Sequence, residues 1–171
     1  MAFSHYKFQT GDVINTTYKK YILDVRPSSN KNSSARLNGT IIVIHLSVFT
    51  SPSLFRRITR DLVRRVISAD QISYLKNLVF ELNQKYFNVE VKSIKIKNAK
   101  TRWGSASQKG GININFKLLL APREILEYVI VHELAHIIEF NHSKRYWGLV
   151  RRACPDYKQR IRWLKENGKK L

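Results

Sequence analysis

The sequence contains few of the residues on which small secreted proteins and unstructured chains depend. Its 171 residues include a single cysteine, Cys154, so no internal disulfide can form and the fold does not need an oxidising compartment. Glycine and proline number only 7 and 4, while 43% of the residues are hydrophobic, which excludes collagen-like, mucin-like and wholly disordered chains. We therefore expect a globular protein in the cytoplasm.

Long hydrophobic runs are also missing. The longest stretch, Ile41 to Phe49, is interrupted by His45 and Ser47 and is too short to span a bilayer. Residues 1–8 lack the apolar segment of a signal peptide. The sequence therefore predicts neither a membrane partner nor secretion by a signal peptide.

Acidic residues are scarce. The chain has 12 Asp and Glu against 31 Lys and Arg, a formal net charge of +19 that is spread over its whole length. Such a surplus attracts polyanions, which include nucleic acid, phosphate-rich ligands and acidic protein surfaces. The other interpretation is a solvated, lysine-rich surface that only keeps the protein soluble, and net charge does not distinguish the two.

The apolar pattern predicts one α+β domain over residues 1–171. Residues 1–50 form a strand-rich N-terminal part, in which the polar break Pro27–Ser34 is expected to be an exposed hairpin loop. Residues 51–99 are expected to hold a helical hairpin, whose second helix starts at about Asp70, and then a strand.

The third part, residues 100–167, combines strands with helices. Gly111–Phe116 alternates as a strand does, and Gln108–Gly111 before it resembles the turn of a hairpin with the strand near residue 94. A long apolar helix is predicted over 122–140, closed by Asn141 in the left-handed conformation. Two shorter helices are expected around residues 143–152 and 156–167.

The long helix carries an H-E-x-x-H sequence, His132-Glu133-Leu134-Ala135-His136. The two histidines lie one helical turn apart on one face, so both rings can reach one ion, and Glu133, rotated by about 100°, lies beside that ion without ligating it. The alternative is a pair of core histidines bonded to the backbone. The pattern favours a zinc hydrolase in which Glu133 is catalytic.

A catalytic zinc needs a third protein ligand and keeps its fourth position for water. His142 lies six residues after His136, just beyond the predicted helix end, where the chain can turn back. The downstream carboxylates, Asp156 and Glu166, lie in no ligand motif, and Glu139 points only partly toward the same face. His142 is therefore the preferred third ligand, the alternative being a residue that merely caps the loop.

Three neutral imidazoles would leave the ion its full positive charge, which acidifies a bound water. Glu133 would accept the proton from this water and return it to the leaving group, while the ion polarised the target carbonyl or phosphoryl oxygen. The other histidines in the strand-rich part, His5 and His45, are expected to be structural or surface residues.

Several runs beyond this motif resemble one known family. They are Thr101–Ser105, Gly111–Asn115, Leu118–Pro122, Tyr128–His136 and Asn141–Ser143 with Trp147. Their order and spacing are similar to those of the YgjP-like metal-dependent hydrolases, relatives of the SprT-like zinc proteases, specifically over about residues 100–150. The resemblance implies a zincin-like fold with residues 100–167 as catalytic core, one Zn²⁺ per chain on His132, His136 and His142, and Glu133 as the catalytic glutamate.

Four further residues are candidates for substrate binding. Arg102 could hold an anionic group, and Trp103 could stack on a base or fill the core. Asn113 shares a strand face with Asn115, so both are either exposed or line the cleft. Tyr146 stands where the family often has Phe; its hydroxyl could reach an oxyanion, or its ring could pack at the edge of the core.

The preferred hypothesis is a zinc-dependent metallopeptidase that cleaves peptide bonds with metal-activated water, and whose basic surface brings it to nucleic acid or to proteins bound there. One alternative is a nucleoside-triphosphate pyrophosphatase or phosphohydrolase on the same metal site, a label that some YgjP-like proteins carry and that abundant Lys and Arg suit. The sequence lacks the Walker-type phosphate-binding loop of many nucleotide hydrolases, however, since Gly110-Gly111 is not followed by Lys-Ser/Thr. The other alternative is a nucleic-acid-binding module with a structural metal.

Overall fold

A computed structural model describes residue 3 and residues 7–171. These residues form two compact units, one that ends at Gln71 and one that covers residues 72–171. Strands and helices occur in both, so the predicted α+β class is confirmed. The prediction for His5 lies outside the described residues.

The first unit is built on a four-stranded sheet in the order β1-β2-β4-β3. Strands β2 and β4 are parallel, and the other two pairs are antiparallel. Apolar residues of β2 and β4, most of them β-branched or aromatic, contribute to its core, with Tyr21, Leu23, Ile42 and Ile44 fully buried. The strands are β1 (Val13–Asn15), β2 (Lys20–Ser28), β3 (Ser34–Asn38) and β4 (Ile41–Ser47).

The predicted loop within Pro27–Ser34 exists at residues 29–33 and is mostly exposed, but the prediction that it closes a hairpin is wrong. The strand after this loop, β3, pairs with β4 and not with β2, so the hairpin lies at the β3–β4 turn, where Gly39 adopts a φ of 61°. Strand β3 is a polar edge strand in which only Ala35 and Leu37 are half-buried.

The helical hairpin predicted for residues 51–99 is also wrong. One continuous helix, α1 (Pro52–Tyr86), replaces it. No Gly or Pro follows Pro52 within the helix, so nothing breaks its backbone hydrogen bonding near Asp70. The polar residue Gln71 is fully buried in this helix. Its burial is tolerated because its side-chain amide donates to Thr16 Oγ1 at 2.6 Å and to Tyr21 Oη at 3.0 Å.

The second unit contains a three-stranded sheet in the order β5-β7-β6, with β5 (Ser93–Lys97) parallel to β7 (Gly111–Asn115) and β6 (Gly104–Ala106) antiparallel to it. The predicted turn before Gly111 exists, with Gly110 at a φ of 76°. This turn joins β6 to β7, however, and not the strand near residue 94 to β7, because β6 lies between that strand and the turn in the sequence.

Helix α2 (Arg123–Ile138) is the centre of this unit. It packs against β6 and β7 on one side and against α3 (Lys144–Ala153) and α4 (Tyr157–Asn167) on the other. It ends before Glu139, which is extended at a φ of −139°, so the predicted left-handed stop at Asn141 is wrong. No helix in the described part of the chain is long and apolar enough to cross a membrane.

Candidate metal centre

Three histidine side chains converge at the end of α2. His132 and His136 lie one turn apart on the helix, and His142 comes from the connection to α3. The ring centroids of His132 and His136 are 4.8 Å apart, and that of His142 lies 5.3 and 4.7 Å from them. One ring nitrogen from each residue lies within 4.8 Å of the others, and the three form the group of potential metal ligands found among the described residues.

Hydrogen bonds occupy Nδ1 of the two helical histidines. Tyr146 Oη lies 2.6 Å from His132 Nδ1 and 3.2 Å from the His132 carbonyl oxygen, and a hydroxyl that donates its single hydrogen to this carbonyl accepts one from Nδ1. His136 Nδ1 lies 3.3 Å from the carbonyl oxygen of Glu139, which can only accept. Both rings therefore keep the lone pair of Nε2 free to bind an ion.

Burial keeps these rings in the form that binds metals. It lowers the pKa of His132 to about 3, assisted by the neighbouring His136 and His142, and it lowers the pKa of His136 as well. A histidine must be neutral to ligate a metal, so the low pKa values preserve the ligands at physiological pH.

His142 is more exposed but is held by the start of α3. Ser143 caps that helix, its hydroxyl oxygen accepting from the Tyr146 amide at 3.2 Å. The Trp147 ring stacks on His142 with ring centroids 5.6 Å apart, and the Tyr157 ring stacks on Trp147 with centroids 5.2 Å apart. The short connection thus returns His142 to the helical pair.

Glu133 follows His132 on α2, lines the same pocket as His132 and is only 4% exposed. Burial raises its pKa to about 7, opposed by a backbone hydrogen bond from Ala106 and by the charge of Arg102. Strand β6 passes against the carboxylate: a Cβ added at Gly104 would lie 2.8 Å from Glu133 Cγ and Cδ. A glycine is needed there because any side chain would displace the glutamate.

The Tyr146 ring packs against the rings of all three histidines. Its side chain is fully buried, and its hydroxyl is used by His132. This favours the other interpretation of Tyr146, an aromatic packed at the edge of the core, and gives its hydroxyl a role in orienting the His132 ring.

The two asparagines of β7 have different environments. Asn113 is half-buried, donates to Ser105 Oγ at 3.1 Å and lines a pocket of about 210 Å³ with Arg102 and Trp103. Asn115 is 3% exposed and donates to the carbonyl oxygens of Ala99 and Arg102, so it holds the segment before β6 in place.

Sequence reasoning did not single out Gly104 and Ala106, which contact Glu133, or Lys165, which lines a pocket together with His132 and Glu133. The first two lie in or next to the Thr101–Ser105 run, which could have indicated them, whereas no sequence signal marks Lys165. His45 lies in β4 of the first unit.

Comparison with known proteins identifies the family. Residues 2–167 match the YgjP-like metallopeptidase domain. Among solved structures, the chain is similar to the metallopeptidase zymogen abylysin of Pyrococcus abyssi, with 22% identity and a TM-score of 0.49 over 54% of this chain and 93% of that one. It is also similar to the zymogen jannalysin of Methanocaldococcus jannaschii, with 27% identity and a TM-score of 0.43 over 51% of this chain and 92% of that one. The chain matches no curated protein sequence.

Proposed function

The chain belongs to the YgjP-like family of metallopeptidases, and we propose that it hydrolyses peptide bonds with one zinc ion held by His132, His136 and His142. The convergence of these three imidazoles beside a buried glutamate is the observation that carries the proposal. A metal-dependent hydrolase needs both a cation site and a group that handles protons, and α2 supplies them from adjacent residues.

The donor set fits zinc. Three imidazole nitrogens without a thiolate are a common catalytic zinc set and leave a position open for water. The bonds from Tyr146 and Glu139 would orient two of the rings, as second partners of metal-ligating histidines do. When bound, zinc would supply a Lewis acid that polarises a peptide carbonyl and lowers the pKa of a water.

Glu133 would handle the proton. Its carboxylate is buried next to His132 in the wall of the same pocket, where burial raises its pKa above the usual range of a carboxylate, while the charge of a bound ion would act in the opposite direction. We assign to it the removal of a proton from the attacking water and its delivery to the leaving amine. No described residue forms an ion pair with Glu133 that would hold it in the charged state.

Changing Gly104 to Ala should disturb Glu133 without removing a ligand. The new Cβ would overlap the Glu133 side chain, and misplacing a catalytic group by about 1 Å can cost roughly 100-fold in rate. We expect hydrolysis to fall about 10- to 100-fold while zinc content is unchanged. Gly148→Ala in α3 is the matched control, because a Cβ there meets nothing within 4 Å; equal activity of the two variants would contradict the placement of Glu133.

Strand β6 offers a place for the substrate backbone. Within the described part of the chain it lies at the edge of its sheet, paired with β7, and Ala106 in this strand bonds to Glu133. An extended peptide can add to such an edge through main-chain hydrogen bonds. A peptide bound along Gly104–Ala106 would therefore pass beside the glutamate.

The competing function is hydrolysis of nucleoside triphosphates at the same centre, which the net charge of +19 would suit. The same charge supports contact with nucleic acid, which would bring the peptidase to proteins bound there. The two functions differ in substrate. Triphosphate hydrolysis predicts release of pyrophosphate or phosphate, whereas a peptidase that contacts nucleic acid predicts peptide cleavage that DNA accelerates.

One assay distinguishes these functions. Purified, zinc-loaded protein is given casein-like chains and nucleoside triphosphates in parallel, with and without DNA, and a chelator-treated sample is the control. We expect peptide fragments that disappear with the chelator and return with zinc. Release of pyrophosphate without peptide cleavage would overturn the proposal, and absence of both would support a structural metal.

A further inference from the structure

A pocket of about 370 Å³ opens beside the proposed centre in the second unit. Helix α2 contributes His132 and Glu133 to one wall, and the other walls are α4 and residues 101–104. A substrate side chain next to the reacting bond would therefore enter this pocket, since the proton-handling group forms part of its wall.

The inner surface of the pocket is mostly apolar. Trp103, Val129, Ile161 and Leu164 line it, and Val129 and Leu164 are buried. Trp103 is held from behind by Gly168, where an added Cβ would lie 3.0 Å from Trp103 Cη2. This surface suits the aliphatic or aromatic part of a ligand.

Two cationic side chains line the same pocket, Arg102 and Lys165. Both residues are exposed, and neither forms an ion pair with another described residue. By contrast, Arg160 on the same helix as Lys165 is paired with Asp156 and Glu124. Neither charge is neutralised by an ion pair, although that of Arg102 also acts on the Glu133 carboxylate, so both can attract a negatively charged ligand.

The one carboxylate in the pocket wall is that of Glu133, which is buried and assigned to proton transfer. An apolar cavity with two available cations favours a ligand with an apolar stem and a negative end. We propose that this pocket selects a substrate residue that carries a carboxylate, either a Glu or Asp side chain or the C terminus of the peptide, paired with Lys165 and Arg102. The inference rests on the proposed peptidase function and adds its substrate class.

The test starts from cleavage sites of the zinc-loaded protein in casein, mapped by mass spectrometry. Peptides are then made around one mapped site with Glu, Gln or Lys at the position adjacent to the cut, all with amidated C termini. A further Gln peptide ends at that position with a free carboxylate. We expect kcat/KM for the Glu peptide, the free-carboxylate peptide or both to exceed that of the amidated Gln peptide about tenfold.

Lys165→Glu should reverse this preference, because it replaces the attracting charge by a repelling one. We expect the variant to cleave the Lys peptide about tenfold better than the Glu peptide. Lys158→Glu is the matched control, since Lys158 is an exposed residue of α4 that does not line the pocket. Both variants change the net charge equally, so a general effect of charge would alter both; melting temperature and zinc content establish that each is folded.

The outcomes separate the inference from the function on which it rests. A carboxylate preference that Lys165→Glu reverses and Lys158→Glu retains supports the inference. Cleavage of all the peptides at equal rates, or equal preferences in the two variants, overturns the inference and leaves the peptidase function standing. Absence of peptide cleavage in every sample rejects the proposed function, and the inference with it.

Discussion

Glu133→Gln is expected to lower peptide hydrolysis by about 100- to 10,000-fold and to leave zinc content near one per chain. The amide has nearly the same shape as the carboxylate, so it fits the buried space between α2 and β6, where Glu133 is 4% exposed. It cannot accept a proton, however, and the attacking water would lose its base. Since Glu133 is not among the three proposed ligands, zinc binding should continue.

The matched control for this variant is Glu127→Gln on the same helix. Glu127 forms an exposed ion pair with Arg123 at 2.7 Å, and such pairs contribute little to stability. Initial rates and zinc analysis on both variants and the unchanged protein form the measurement. Full turnover by Glu133→Gln would remove Glu133 from the mechanism, and loss of zinc would make it a ligand instead.

Tyr146→Phe is expected to weaken zinc binding about 10- to 100-fold. The change removes only the hydroxyl that accepts from His132 Nδ1. Without this bond the His132 ring has no fixed tautomer and a buried Nδ1 loses its partner, at a cost to folding of about 1–3 kcal/mol. Zinc affinity is measured by competition with a chromophoric chelator, which does not depend on activity.

Tyr157→Phe is the control for Tyr146→Phe. Tyr157 is buried in the same aromatic cluster, stacked on Trp147, and none of its hydrogen bonds reaches a proposed ligand. The control should bind zinc as the unchanged protein does. Equal zinc affinities of the two variants would show that the Tyr146 hydroxyl does not orient His132.

The parts of the site that could be predicted from sequence are those determined locally. The spacing of His132 and His136 fixes their common helix face, and His142 follows closely enough to return to them. The family resemblance rests on runs in this same region, and the match over residues 2–167 confirms it. The α+β class followed from segments with clear alternation or helical periodicity, and it too is confirmed.

The remainder depends on contacts between distant residues, which a single sequence does not reveal. Gln71 is a polar residue next to the apolar stripe of α1, and only its bonds to Thr16 and Tyr21 explain its burial. Strand β6 has three residues and is defined only by pairing with β7. The pocket walls come from three separate segments, so Lys165 could not be connected with Arg102 before the fold was known.

The most direct test of the proposed centre is a crystal structure of the zinc-loaded protein with an anomalous difference map at the zinc edge. We expect one peak per chain, about 2.0–2.1 Å from a ring nitrogen of each of His132, His136 and His142, with no fourth protein atom bound. A peak away from these rings, or an additional side chain that closes the coordination, would contradict the proposed centre.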